Sequence, residues 1–167
     1  MAMGRSLEEG EKKKEVVDLA TAKTKISKYC AYQERAHAEV EQKLYSFGLF
    51  SDQVQELVAW LITENYLNEE RFAIAFSGGK FRIKKWGRVK IKQQLKLKRV
   101  SDYSINKAIS EIDEKDYQET MEGLIRKKWK DVSANNIYEL RNKVARYVIN
   151  KGYESELVWD HTKNIII

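Results

Sequence analysis

The sequence predicts an all-α protein of about nine helices in three repeats, and three observations point to it. There is no proline in 167 residues, where average usage would give about eight, and helix interiors are where proline costs most. Between 51 and 64, Val54, Leu57, Val58, Leu61 and Ile62 recur at the spacing of one helical face. The third observation is that this apolar pattern returns 51 residues on: Val40, Leu44, Leu49, Val54, Leu57, Val58 and Leu61 become Ile91, Leu95, Val100, Ile105, Ala108, Ile109 and Ile112. A weaker copy follows at an offset of 53, in Val144, Val148, Tyr153, Val158, His161, Thr162 and Ile165. Repeats of this period are helical units that bury their apolar faces against one another.

In chain order, the segment 1–20 is charged, without an apolar stretch of a secretion signal, and is expected either to lack fixed structure or to form a short helix. The first repeat is assigned to 21–66. Its sharpest element, 51–64, takes Ser51 as N-cap and Asp52 in its first turn. Gly48-Leu49 suits a left-handed turn residue followed by its hydrophobic contact.

The second repeat, 67–113, is joined to the first by the helix-to-helix junction Asn65-Tyr66-Leu67-Asn68-Glu69-Glu70-Arg71-Phe72-Ala73. Here Asn65 suits a left-handed helix end, and Tyr66 and Leu67 fold back on the preceding helix. Asn68 caps the next helix, which turns Phe72, Ala73 and Phe76 inward. Gly78-Gly79 reads as a break in that helix. Residues 88–98 alternate apolar and basic, which alone would suggest a strand, but their counterpart in the first repeat is helical, so they are assigned to a helix that leaves Val89 and Leu97 partly exposed. The third repeat, 114–167, repeats the glycine turn at Gly152-Tyr153, where the middle copy has Arg99-Val100. Leu44, Leu57, Leu61, Leu95, Ile109 and Ile112 are expected in the core.

Charge singles out the second repeat. Between Glu70 and Asp102 there are 31 residues without a carboxylate, carrying Arg71, Lys80, Arg82, Lys84, Lys85, Arg88, Lys90, Lys92, Lys96, Lys98 and Arg99. This window carries +11 in a chain of net +6, so the remainder sums to −5. Cations crowded this closely repel one another unless a polyanion or an acidic protein surface neutralises them. The candidate binding residues are therefore Lys80, Arg82, Lys84, Lys85, Arg88, Lys90, Lys92, Lys96, Lys98 and Arg99. A second basic patch comprises Arg126, Lys127, Lys128 and Lys130 beside Trp129, where a solvated helix face is an equal reading.

Other chemistries find little support. One cysteine, Cys30, in an apolar-aromatic stretch, reads as a buried inert thiol, and two distant histidines leave too few ligands for structural zinc. No phosphate loop, nucleophile elbow or carboxylate–histidine pair is found, so no cofactor, no metal and no enzymatic activity are expected. No run approaches the roughly 20 apolar residues of a membrane span, and a cytoplasmic protein is expected.

The 65–73 junction, the basic helix after it, then Trp86-Gly87, Ile91 and Leu95 at their spacing, resemble the RecX family of recombinase regulators. The resemblance spans about 28–165 and is strongest from 65 to 112. The family's glycine-tyrosine-leucine-(acid or amide)-acid-x-x-phenylalanine-alanine signature matches except for Asn65 in place of glycine. Lys98-Arg99-Val100 also departs from the lysine-glycine-hydrophobe of many members. The resemblance implies tandem three-helix repeats in an elongated, curved monomer. It also implies a partner in the RecA-type recombinase and its nucleoprotein filament, with single- or double-stranded DNA touched as well. Recombinase activity in recombination, DNA repair and the SOS response would most often be restrained. The alternative is an autonomous, non-sequence-specific nucleic-acid-binding protein with a helix-turn-helix-like unit at 88–112. Ser104, Asn106, Lys107 and Glu111 give its second helix few base-reading groups.

Overall fold

A computed structural model describes residues 16–165, so most of the charged segment 1–20 lies outside the described residues. Among the described residues there are nine helices and no strand: α1 (Leu19–Tyr32), α2 (His37–Ser46), α3 (Ser51–Thr63), α4 (Glu69–Lys84), α5 (Arg88–Leu97), α6 (Asp102–Ser110), α7 (Glu114–Asp131), α8 (Ile137–Asn150) and α9 (Ser155–Asn164). They fall into three successive groups of three.

The helix starts follow capping chemistry. Asp18, Asn68, Asp113 and Asn136 each accept a backbone N–H three residues on, at 2.8–2.9 Å. Ser51 is not the cap of α3. It is the first helical residue, and the cap position belongs to Phe50, whose N–H donates to Gln53 Oε1 at 3.0 Å. The long glutamine reaches back from the first turn and satisfies the cap residue's own N–H, as the glutamine of a capping box does.

Gly78 and Gly79 do not break α4, which runs unbroken from Glu69 to Lys84. Phe72, Ala73, Ser77 and Phe81 bury one side of this helix, and that packing outweighs the roughly 1 kcal/mol that each glycine costs in a helix interior. The helix ends instead at Lys85, whose backbone is left-handed at φ 57°. Lys85 N–H returns to Phe81 O at 3.1 Å, the bond of a left-handed helix cap, and Trp86 N–H reaches back to Lys80 O at 3.2 Å.

The repeat register holds in three dimensions. Val40, Ile91 and Val144 are buried at equivalent places on α2, α5 and α8, as are Leu44, Leu95 and Val148 one turn later. Val54, Ile105 and Val158 match on α3, α6 and α9. Of the expected core residues, Leu44, Leu57, Leu61, Leu95 and Ile112 are buried, and Ile109 is half-buried against the same core. The turns agree as well: Gly48, Arg99 and Gly152 all have positive φ, at 83°, 60° and 102°. Each is followed by a buried hydrophobe, Leu49, Val100 or Tyr153.

These helices enclose two cores. One lies within α1–α3 and is closed by Leu67 of the following junction. The other runs continuously through α4–α9 and takes in Ala36 from the first group. No described helix is long and apolar enough to cross a membrane.

Candidate binding surface

The basic window divides by what each side chain touches. Three of its cations are spent within the fold. Arg71 pairs with Glu34 at 2.6 Å and reaches Asn65 Oδ1 at 2.9 Å, tying α4 to the α1–α2 connection. Lys98 pairs with Glu39 of α2 at 2.6 Å.

Arg88 is the most committed of the three, with its side chain only 17% exposed. Its guanidinium pairs with Glu114, lies 3.4 Å from Glu154 Oε1 and sits 3.8 Å from the Tyr117 ring centroid. Burial is the largest single influence and works against its charge, but the hydrogen bond it donates to Glu114, together with the charges of Glu114 and Glu154, outweighs that and holds the group protonated. The sequence places Arg88 among the binding residues; the structure turns it inward as a clamp, so it does not stand on the open face. Lys98 is likewise half-buried between repeats rather than free.

Lys80 and Lys90 form a second class. Both are half-buried and flank the Trp86 ring at 5.0 and 4.5 Å from its centroid, an arrangement that holds each ammonium by cation–π attraction.

Arg82, Lys84, Lys85, Lys92, Lys96 and Arg99 remain exposed. Among the described residues only Lys96 of these six has an acidic neighbour within ion-pair reach, Asp102 at 3.9 Å, and both are solvated enough for the pair to count for little. Arg82 and Lys85 overlook Asp116 and Glu119 of α7 across a shallow hollow without pairing to them. On α5, Val89, Lys92 and Lys96 fall on the outward side, away from buried Ile91 and Leu95. The exposed cations are accompanied by large apolar side chains: Ile83 is 77% exposed and Leu97 76%, with Val89 and Tyr103 also exposed. Sequence reasoning passed over Ile83 and Tyr103, although Ile83 stands between Arg82 and Lys84 and the helical period would have turned it outward.

Backbone strain also gathers here. Among the described residues, the non-glycine residues with positive φ are Asn65, Lys85 and Arg99. Asparagine tolerates that conformation, but lysine and arginine pay about 1–2 kcal/mol for it. At the position of Arg99 the other two repeats use glycine.

In the second patch, Arg126, Lys127 and Lys130 are exposed, while Lys128 is half-buried with its ammonium 4.4 Å from the Tyr147 ring centroid. Among the described residues no cluster of acidic, histidine and cysteine side chains is arranged to hold a metal ion. Cys30 is buried, and burial pushes its thiol up to about 11, where it stays protonated and unreactive.

Two family models match the chain: the second three-helix domain of RecX over residues 68–109 and the third over 114–160, together more than half of its length. The regulatory protein RecX of Bacillus cereus strain B4264 is 25% identical over 130 residues, covering 78% of this chain and 48% of that protein. The regulatory protein RecX of Bacillus thuringiensis strain Al Hakam matches to the same extent. The chain thus spans about half the length of the curated relatives it matches. In fold it is similar to the crystal structure of RecX from Lactobacillus salivarius, with a TM-score of 0.79 at 22% identity over 87% of this chain and 94% of that one. A second crystal structure of a regulatory protein RecX gives a TM-score of 0.79 at 19% identity, over 88% of this chain and 73% of that one.

Proposed function

Because the chain belongs to the RecX family of regulatory proteins, we propose that it binds a RecA-type recombinase and its nucleoprotein filament and restrains recombinase activity, without catalysing a reaction itself. The observation that carries this reading is the exposed surface of the second repeat, where Arg82, Lys84, Lys85, Lys92, Lys96 and Arg99 stand among exposed Ile83, Val89 and Leu97. Exposed isoleucine and leucine standing among these cations support a protein partner, since apolar anchors supply affinity while surrounding charge steers encounter. The cations then meet acidic recombinase surface or DNA phosphate, and the resulting docking is fast and salt-sensitive without reading bases.

An autonomous DNA-binding role is less favoured. The outward residues of α6 include Asp102, Tyr103 and Asn106, and Lys107 is paired with Glu111 at 2.9 Å, leaving little to read a base edge. The deciding experiment is recombinase-filament ATPase and strand exchange with and without the protein. A concentration-dependent fall in both is expected, and unchanged rates at saturating protein overturn the proposal. The combined variant Lys84→Gln, Lys85→Gln, Lys92→Gln and Lys96→Gln should keep the helical fold, weaken filament binding and flatten its salt dependence. Parental affinity and salt dependence in that variant would move the binding surface elsewhere on the molecule.

A further inference from the structure

The geometry of a groove between α7 and α9 points to a nucleobase-binding site that takes one nucleotide of a single-stranded nucleic acid. The groove holds about 530 Å³, within the range of small-ligand sites. Its apolar part is made by Ile125, Trp129 and Ile165, its charged edge by Arg126 and Lys130, and its far end by His161. Arg126 and Lys130 are four residues apart, so they project from one side of α7 on successive turns, and Trp129 lies beside them. Neither cation has an acidic partner among the described residues; Glu122, the carboxylate that also lines the groove, is 3.3 Å from His161 Nδ1. His161 Nε2 is held in turn by Gln118 Oε1 at 3.1 Å, which fixes the ring. The indole of Trp129 is half-buried against the core, so it presents a rigid, partly wet surface.

An apolar groove bordered by two cations that have no acidic partner among the described residues suits a ligand that is planar and apolar in the middle and anionic at the edge. A nucleotide has that form: the base stacks on Trp129 and its flanking phosphates meet Arg126 and Lys130. A base within a duplex is stacked on both faces and cannot enter, so the site selects single strands. Asn164 is the only neutral side-chain amide lining the groove, which makes recognition tolerant of sequence. This site is separate from the exposed cations of α4 and α5, and it requires no recombinase.

The test is fluorescence anisotropy of the full chain with a labelled oligothymidylate and with a duplex of equal length, alongside circular dichroism melts. Trp129→Leu should lose roughly 5- to 150-fold in affinity for the single strand, the range of one base–aromatic stack, and leave duplex binding unchanged. Trp129→Tyr should recover most of that loss. Arg126→Gln with Lys130→Gln should weaken single-strand binding and lower its salt slope by about 0.7 for each phosphate contact removed. If Trp129→Leu fails to fold, the double cation variant and Trp129→Tyr carry the test. The proposal falls if the parent binds no free single strand, if Trp129→Leu folds with parental affinity, or if it loses single strand and duplex alike. It falls equally if these variants keep single-strand binding and lose only the recombinase filament, which would make the groove a seat for an acidic, aromatic peptide. None of the single-strand outcomes bears on ATPase inhibition, so failure here is distinguishable from failure of the regulator reading.

Discussion

Arg88 joins parts of the chain that lie far apart in sequence. Its backbone N–H donates to the Tyr117 hydroxyl at 3.1 Å, that hydroxyl donates to Glu154 at 2.5 Å, and its guanidinium covers the Tyr117 ring. Removing the charge would leave Glu154 partly buried without its cation, so Arg88→Gln should cost about 2–4 kcal/mol in urea unfolding. Lys92→Gln, on the exposed side of the same helix, should stay within about 0.5 kcal/mol. Equal costs would mean that Arg88 is no clamp. Arg99 presents the opposite case, since its left-handed backbone is strained where Gly48 and Gly152 are not. Arg99→Gly should therefore stabilise the fold by up to about 1 kcal/mol while weakening filament binding. A variant that is more stable and binds as well as the parent would show that the arginine there serves no contact.

At the scale of elements, helices were legible where periodicity was strong, and the repeat resolved the one stretch that alternated like a strand. Local rules failed where a distant contact decided the outcome. Gly78-Gly79 reads as a break because glycine favours one in isolation, yet four buried side chains on α4 carry the helix through. Gly79 has open space where a Cβ would stand, so Gly79→Ala should stabilise the chain by about 0.5–1 kcal/mol, read as a rise in thermal midpoint. A fall would place an unseen constraint at that turn. The basic strip was legible only as composition. Its division into paired and free cations was not, because Glu34, Glu39, Glu114 and Glu154 lie 37, 59, 26 and 66 residues from the bases they meet. Nothing in local spacing encodes those meetings.

For the molecule as a whole, the join between the second and third groups of helices decides how much of the chain behaves as one body. There Gly87 N–H donates to Lys151 O and Val89 N–H to Gly152 O, both at 2.9 Å, so two backbones pair directly. Tyr117 and Tyr153 pack beside them with their rings tilted at 38° and centroids 5.0 Å apart, and the Tyr153 hydroxyl donates to Lys85 O at 3.0 Å. Burial raises both phenols above the ordinary tyrosine range. The unfolded chain then releases protons before the folded one does. Their contribution to stability is full below pH 10 and should fall above it by about 1.4 kcal/mol per pH unit for each of the two. Tyr153→Phe should make that alkaline decline shallower, and an unchanged slope would remove Tyr153 from the account. The closeness of the join itself rests on Gly87. A Cβ there would lie 2.3–2.4 Å from backbone atoms of Gly152 and Tyr153, which cannot step aside as a side-chain tip could. Gly87 has an ordinary φ of −80°, so the requirement is space alone. Gly87→Ala should force the two backbones apart and cost about 1–3 kcal/mol or more. With the shared core of α4–α9 opened at its join, calorimetry should show the single transition of that unit broaden or split. Hydrogen exchange should speed up in α8 and α9 while α2 and α3, which have their own core, keep parental protection. A variant that melts in one unshifted transition would show that the join tolerates a methyl group and that its closeness does not rest on Gly87.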